Sequence, residues 1–138
     1  MASRLNPYLT FNGDARSAME FYASVFGGTP AFNTFAEFGS DAPDADRIMH
    51  GVLETDAGYT IMAGDVTGDM EYQPVAGASV SISGDDADLL RGYWEKLSGN
   101  GTVTMPMEKQ MWGDEFGMCV DRYGVPWMVN VSQPADTA

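Results

Sequence analysis

The residue best suited to proton transfer is His50, the one histidine among 138 residues. It lies inside the apolar run Arg47 to Thr55, which reads as a strand, in phase with Ile48 and Val52. Because imidazole exchanges protons near neutral pH, His50 in a cavity would serve as a general acid or base or as a hydrogen-bond donor. The alternative is a structural histidine whose ring nitrogens find partners in the core. No local pattern marks a nucleophile that could complete a Ser-His-Asp arrangement.

Trp112 lies beside Gly113 in a predicted loop. An aromatic side chain in such a loop is more often a binding or interface group than a core residue, so we expect it at a cavity edge or in a dimer interface. Met62, Trp127 and Met128 occur in predicted strands, where the default interpretation is core.

Hydroxyl groups follow one side of another predicted strand. Ser79 and Ser81 alternate with Val80 and Ile82, and alternate residues of a strand share a face. This face is either exposed to solvent or forms the hydroxyl-bearing wall of a cavity.

The charge balance excludes several classes of partner. Seven Lys and Arg against 20 Asp and Glu give a net charge of −13, which disfavours nucleic acid and anionic lipid surfaces. The single cysteine, Cys119, rules out an intrachain disulfide framework and is expected to be buried. The amino-terminal residues show no signal peptide and no long apolar run follows, so the expected location is the cytoplasm.

The elements that must position these residues occur twice. Apolar periodicity predicts an amphipathic helix over residues 15–26, after a turn at Gly13 and an N-cap at Asp14. The same order of strand, helix and three strands returns later in the chain, with Gly84 and Asp85 as the second turn and cap. The predicted organisation is a first unit at 1–64, a linker at 65–77 and a second unit at 78–138, forming one compact domain.

Four stretches carry a resemblance to a known family. They are Asn6 to Gly13 with Ala18 to Tyr22, Val25 to Gly28, Ile48 to His50, and Thr104 to Pro106 continuing through Trp112, Gly113, Phe116, Gly117 and Asp121 to Asn130. Together they resemble the vicinal oxygen chelate superfamily, which includes glyoxalase I, extradiol dioxygenases and bleomycin-resistance proteins. The closer likeness is to its PhnB-like branch, often mislabelled as a demethylubiquinone methyltransferase, although no methyltransferase fingerprint is present.

The resemblance implies an α+β fold of two βαβββ units whose curved mixed sheets surround a shared cavity. In the superfamily a divalent metal is held by His and Glu from the first and last strands of each unit. Those positions fall here at Pro7 or Tyr8, Met62, Ser79 or Ser81, and Met128. Since none is a histidine or carboxylate, we expect no metal cofactor.

Two functions follow as expectations. The first is metal-independent binding of a small, partly hydrophobic organic molecule by a cavity surface. The predicted lining residues are Tyr8, Phe11, Met62, Ser79, Ser81, Trp112, Trp127 and Met128. The second is an enzyme of lyase, isomerase or hydrolase type with His50 as acid or base, with an atypical divalent metal as part of that alternative. The family resemblance also implies a homodimer.

Overall fold

The chain divides into unit 1, Met1–Pro74, and unit 2, Val75–Ala138, and the computed structural model describes residues 3–133. Unit 1 contains β1 (Tyr8–Phe11), α1 (Ala15–Phe26), β2 (Ala31–Thr34), a short 3-10 helix (Ala36–Phe38), β3 (Ile48–Glu54) and β4 (Thr60–Asp65). Unit 2 contains β5 (Val80–Gly84), α2 (Ala87–Ser98), β6 (Thr102–Lys109), β7 (Glu115–Val120) and β8 (Pro126–Val131).

Both units have the same sheet topology. Sheet 1 has the strand order β1-β4-β3-β2 and sheet 2 the order β5-β8-β7-β6. In each, the first strand runs parallel to the last, and the other neighbours are antiparallel. The predicted duplication of a βαβββ unit is therefore confirmed by topology.

Each helix packs on one face of its own sheet. In unit 1 the apolar stripe of α1, which includes Met19, Tyr22 and Phe26, is buried. In unit 2 the buried strip of β8, which includes Val129 and Val131, lies under α2. Burial of such faces is the main favourable contribution to folding. The sheet face away from the helix is here called the distal face. Because the helix covers the other face, side chains that contact a ligand must lie on the distal face.

The amino-terminal cap of α1 differs from the prediction. Asp14 makes no side-chain cap hydrogen bond. Instead the buried carboxylate of Asp65, at the end of β4, accepts from the backbone N–H groups of Gly13 and Ala15 at 2.9 and 3.0 Å. Asp65 therefore belongs to the last strand of unit 1, although the sequence prediction placed it in the linker.

The second helix is capped locally, which gives a matched comparison. The Asp86 carboxylate accepts from the backbone N–H of Leu89 at 3.2 Å. We expect Asp86→Ala to lower the free energy of unfolding by about 1 kcal/mol, since a lost N-cap leaves a helix donor unsatisfied. Asp14→Ala should change it by much less. Chemical denaturation of both variants checks this, and equal losses would contradict it.

A bulge in β3 changes which residues share a face. Asn33 pairs with His50 but Thr34 pairs with Ile48, so the register shifts at this point. Ile48 is consequently buried at 1% exposure, whereas His50 is half-buried. The predicted phase of His50 with Ile48 is therefore wrong, because a bulge inserts a residue and re-aims the side chains that follow.

Among residues 3–133, neither helix is both long and apolar enough to cross a bilayer.

Candidate functional site

The distal face of sheet 1 gathers several of the predicted site residues. Tyr8 of β1 pairs with Met62 of β4, and Met62 pairs with Val52 of β3. Directly paired residues lie side by side on one face, so Tyr8, Met62 and Val52 form a row across three strands. Tyr8 and Met62, which the resemblance places on the first and last strands of this unit, are thus direct neighbours in the sheet.

Tyr8 and His50 form an aromatic pair on this face. Their ring centroids are 5.8 Å apart and their planes differ by 25°. The Tyr8 hydroxyl donates to the backbone carbonyl of Met49 at 3.3 Å. Partial burial raises the pKa of Tyr8, because desolvation disfavours the phenolate. Tyr8 is therefore a neutral donor at physiological pH.

The imidazole of His50 makes no hydrogen bond to any residue of the described range 3–133. Its backbone neighbour across the sheet is Asn33. A structural histidine would be expected to have a partner for its ring nitrogens. The observed environment thus leaves His50 able to accept or donate a hydrogen bond to another molecule.

A pocket of about 180 Å³ opens beside this pair. Its lining is mainly apolar and comprises Tyr8, Thr10, Phe35, Met49, Gly64, Asp65 and Met70. Gly64 forms part of the floor, where a Cβ would stand 2.8 Å from the Tyr8 hydroxyl and 2.7 Å from the Met49 carbonyl oxygen. The absence of a side chain at Gly64 is therefore what lets Tyr8 reach across the sheet.

The distal face of sheet 2 carries a second row. Ser81 pairs with Met128, Met128 with Met118, and Met118 with Met105. One hydroxyl and three thioethers thus lie side by side across all four strands. Ser81 and Met128, which the resemblance places on the first and last strands of this unit, are direct neighbours in the sheet. Ser79 is exposed and lies just before β5.

Trp112 lies in the turn between β6 and β7, as predicted. It is 58% exposed, and its ring meets that of Phe116 edge-on, with centroids 5.9 Å apart and an angle of 64°. Beside it, Met111 is 99% exposed. The tip of this hairpin is therefore an apolar projection of unit 2.

Two predicted lining residues belong to the core instead. Phe11 is 2% exposed and Trp127 is 1% exposed, and both follow the buried phase of their strands. The Trp127 indole also donates to the buried carboxylate of Asp121 at 2.8 Å. These two assignments were wrong, because strand alternation directs both side chains toward the helix-covered face.

Cys119 is buried, as expected from the sequence. Burial, with a smaller contribution from the Asp121 carboxylate, raises the pKa of its thiol to about 11. The thiolate is the reactive form of cysteine, so Cys119 is a packing residue rather than a nucleophile.

The residues at the superfamily's metal positions do not suit a divalent ion. The resemblance places these positions at Pro7 or Tyr8, Met62, Ser79 or Ser81, and Met128, which offer at most a phenol, thioethers and a hydroxyl. Zinc, nickel, iron and manganese prefer imidazole and carboxylate ligands. Within residues 3–133, no group of three His, Cys, Asp or Glu side chains is arranged to hold a metal.

Sequence reasoning predicted only Tyr8 among the seven residues that line the unit 1 pocket. It missed Thr10, Phe35, Met49, Gly64, Asp65 and Met70, and it also missed Asn130 on the distal face of sheet 2. Their positions were partly readable: Thr10 is two residues from Tyr8 and Asn130 two from Met128, so each shares a face with a predicted residue. The place of Met49 in the pocket could not be predicted from strand alternation, because Met49 lies at the β3 bulge.

Comparisons with known proteins agree with this architecture. Residues 3–130 match the family profile described as 3-demethylubiquinone-9 3-methyltransferase. Protein PA1353 from Pseudomonas aeruginosa is 34% identical, with 96% of this chain and 100% of that chain covered and a TM-score of 0.87. A PhnB protein from Bacillus cereus is 21% identical, with coverages of 94% and 100% and a TM-score of 0.73.

A more distant likeness extends the comparison of folds. A glyoxylase/bleomycin resistance protein/dioxygenase domain from Frankia sp. EAN1pec is 11% identical, with coverages of 99% and 96% and a TM-score of 0.66. This likeness and that to the Bacillus cereus protein show the fold alone. They confirm the predicted α+β class of two βαβββ units.

Proposed function

The chain belongs to the family described as 3-demethylubiquinone-9 3-methyltransferase, and we propose from this premise that it binds a small, partly hydrophobic organic molecule without the metal typical of the wider superfamily. The pocket beside Tyr8 carries this proposal. Its walls include Phe35, Met49 and Met70, and its polar groups include the Tyr8 and Thr10 hydroxyls. An apolar concavity with few polar groups is the usual composition of a small-molecule site.

The size and chemistry of the pocket limit the ligand. A volume of about 180 Å³ is below that of typical drug-sized sites, which begin at roughly 300 Å³. The pocket would therefore enclose one ring or a short branched chain, with the rest of a larger molecule outside. Thioethers adapt to varied apolar shapes, and the Tyr8–His50 pair offers an aromatic surface.

A thermal-shift screen of the full chain against a metabolite library tests this proposal. A compound that binds only the native state raises stability by about 2.7 kcal/mol at one hundred times its Kd. Compounds that occupy the pocket should lose most of this shift in Tyr8→Ala and keep it in Tyr59→Ala, which removes a tyrosine outside the pocket. Equal shifts in both variants would contradict the assignment of the pocket.

The absence of a metal requirement is tested separately. We expect elemental analysis of protein purified without chelators to find zinc, nickel, iron and manganese far below one ion per chain. A stoichiometric amount of any of these metals would overturn this part of the proposal.

An enzymatic role for His50 is the second candidate. The observation that favours it is the imidazole that lacks a hydrogen-bond partner within residues 3–133 and stacks on Tyr8. If His50 transfers a proton, His50→Gln should abolish turnover of a compound found in the screen while its affinity changes little. Unchanged turnover would remove His50 from the chemistry, and unchanged affinity in His50→Ala would remove it from the binding site.

We also propose that the chain forms a homodimer through unit 2. Apolar side chains are exposed along the edge strand β6 and the following turn, with Val103 at 46%, Met105 at 38% and Met111 at 99%. An apolar sheet edge of this kind favours pairing with another chain. Light scattering should give twice the mass of one chain for the wild type and the mass of one chain for Val103→Lys. A monomeric wild type would contradict this proposal.

A further inference from the structure

Two Asn-Gly dipeptides occur in the chain, Asn12-Gly13 and Asn100-Gly101. Asparagine is among the thermolabile residues, and a following glycine has no side chain to hinder its backbone nitrogen. Both asparagines are exposed to solvent. Sequence and exposure therefore do not distinguish the two sites, and a difference in their chemical stability must come from the hydrogen bonds around them.

The first dipeptide is held at both of its reacting groups. The Arg47 guanidinium donates to the side-chain carbonyl oxygen of Asn12 at 3.0 Å. The backbone N–H of Gly13 donates to the buried carboxylate of Asp65 at 2.9 Å. A hydrogen bond to a charged acceptor is stronger than one to a neutral group, and a negative charge beside the nitrogen opposes the loss of its proton. The Gly13 nitrogen is therefore kept from attacking the Asn12 side chain.

The second dipeptide lies in the turn between α2 and β6, where the same groups are held weakly. Gly99 has φ −62° and ψ 127°, Asn100 has φ 59°, and the Gly101 N–H donates to the Ser98 carbonyl at 3.0 Å. This is a type II turn, whose third residue needs a positive φ and is usually Gly or Asn. The acceptor is a neutral carbonyl, and within residues 3–133 the Asn100 side chain makes no hydrogen bond. Exposed turns of this kind open at little cost in free energy.

We propose that Asn100 is a site of spontaneous deamidation in the folded protein, whereas Asn12 is protected. Hydroxide removes the Gly101 amide proton, and the nitrogen then attacks Asn100 Cγ. As the new N–Cγ bond closes a succinimide ring, the Cγ–Nδ2 bond breaks, and the leaving nitrogen takes a proton from water to depart as ammonia. Water opens the ring at either of its carbonyl groups, which gives aspartate or isoaspartate at residue 100.

The two products should differ in their effect on the fold. Aspartate keeps the backbone, and a positive group already lies at this turn, since Arg122 donates to the Gly99 carbonyl at 3.1 Å. Isoaspartate instead adds a methylene to the main chain directly before Gly101. A Cβ at Gly101 would stand 2.3 Å from the Val120 carbonyl oxygen, so the backbone here packs closely on β7. We expect isoaspartate to disturb the start of β6.

Incubation of the full chain at mildly alkaline pH, followed by peptide mapping with mass spectrometry, tests the site. We expect product at Asn100 to form at least about ten-fold faster than at Asn12, which corresponds to about 1.4 kcal/mol of activation free energy. In urea that unfolds the chain, the ratio of the two rates should fall towards one, because only the shared dipeptide remains. The control Asn100→Gly keeps a residue suited to positive φ and should form no product in this turn.

The proposal is overturned if the native protein modifies Asn12 as fast as Asn100, if neither asparagine reacts in the native protein, or if the ratio of rates is the same in urea. Thermal unfolding tests the effect of the products. Incubation should lower the thermal midpoint of the wild type but not that of Asn100→Asp or Asn100→Gly. An unchanged wild-type midpoint with isoaspartate present would overturn the effect assigned to it.

Discussion

Asp65→Asn is expected to lower the free energy of unfolding by about 3 kcal/mol, because a buried hydrogen bond that becomes unsatisfied costs roughly 1–3 kcal/mol and charged acceptors cost more. The Asp65 side chain is 4% exposed. Its Oδ1 accepts from Gly13 and Ala15, and its Oδ2 accepts from the backbone N–H of Ile48 at 3.0 Å. One carboxylate thus joins the start of α1, the start of β3 and the end of β4.

Asp65→Asn removes the negative charge and one acceptor oxygen while it keeps the size of the side chain. Its carbonyl oxygen could still accept from Gly13 and Ala15, but its NH₂ group would then face the N–H of Ile48, placing two donors together. Asp65→Ala, which removes every acceptor, should cost at least as much. Chemical denaturation monitored by circular dichroism gives both values.

Asp14→Asn is the matched control for Asp65→Asn. It makes the same chemical change at the position where the sequence predicted the cap, and Asp14 makes no side-chain cap bond. We expect a change of less than about 0.5 kcal/mol, as for ordinary surface substitutions. A larger loss in Asp14→Asn than in Asp65→Asn would show that Asp65 does not hold these elements together.

Local patterns were sufficient for most of the fold. The helix predicted over residues 15–26 is observed as α1, Ala15–Phe26, because its apolar stripe and the glycines that follow are both local signals. The cap from Asp65 could not be found locally, because the sequence gives no indication of which distant carboxylate reaches a helix start.

The sequence predicted only part of the candidate site. The wrong assignments arose because strand alternation was not applied to neighbouring residues. Trp127 and Met128 were both assigned to the cavity, although adjacent residues of a strand point to opposite faces. Tyr8 and Phe11, three positions apart, conflict in the same way. The apolar residues Val129 and Val131, in phase with Trp127, were the signal that its side chain belongs under α2.

Gly64→Ala is expected to raise the Kd of a compound bound beside Tyr8 by at least about ten-fold, which corresponds to about 1.4 kcal/mol. The new methyl group would stand 2.8 Å from the Tyr8 hydroxyl and 2.7 Å from the Met49 carbonyl oxygen. The Tyr8 ring must move to relieve one of these contacts, and the backbone beside the bulge must shift to relieve the other. The hydrogen bond of Tyr8 to Met49 and its stacking on His50 would then be lost.

Gly84→Ala supplies the control for an alanine in a strand. The nearest atom to a Cβ at Gly84 is Leu90 Cδ1 at 3.6 Å, which is an ordinary van der Waals contact. We expect this variant to bind as the wild type does, whereas Gly64→Ala should also lose about 1–3 kcal/mol of stability, as overpacked sites do. Isothermal titration with a screened compound and thermal unfolding measure the two effects.

The outcome of Gly64→Ala also decides what the pocket recognises. If affinity falls in Gly64→Ala but not in Tyr8→Phe, the position of the Tyr8 ring matters and its hydroxyl does not, which indicates recognition by shape and stacking. If both variants lose affinity, the hydroxyl contributes as well, either by accepting a hydrogen bond from the ligand or by holding the ring in place through its hydrogen bond to the Met49 carbonyl. If Gly64→Ala folds and binds as the wild type does, the ligand does not use the floor beneath Tyr8, and the pocket in unit 1 is not the binding site.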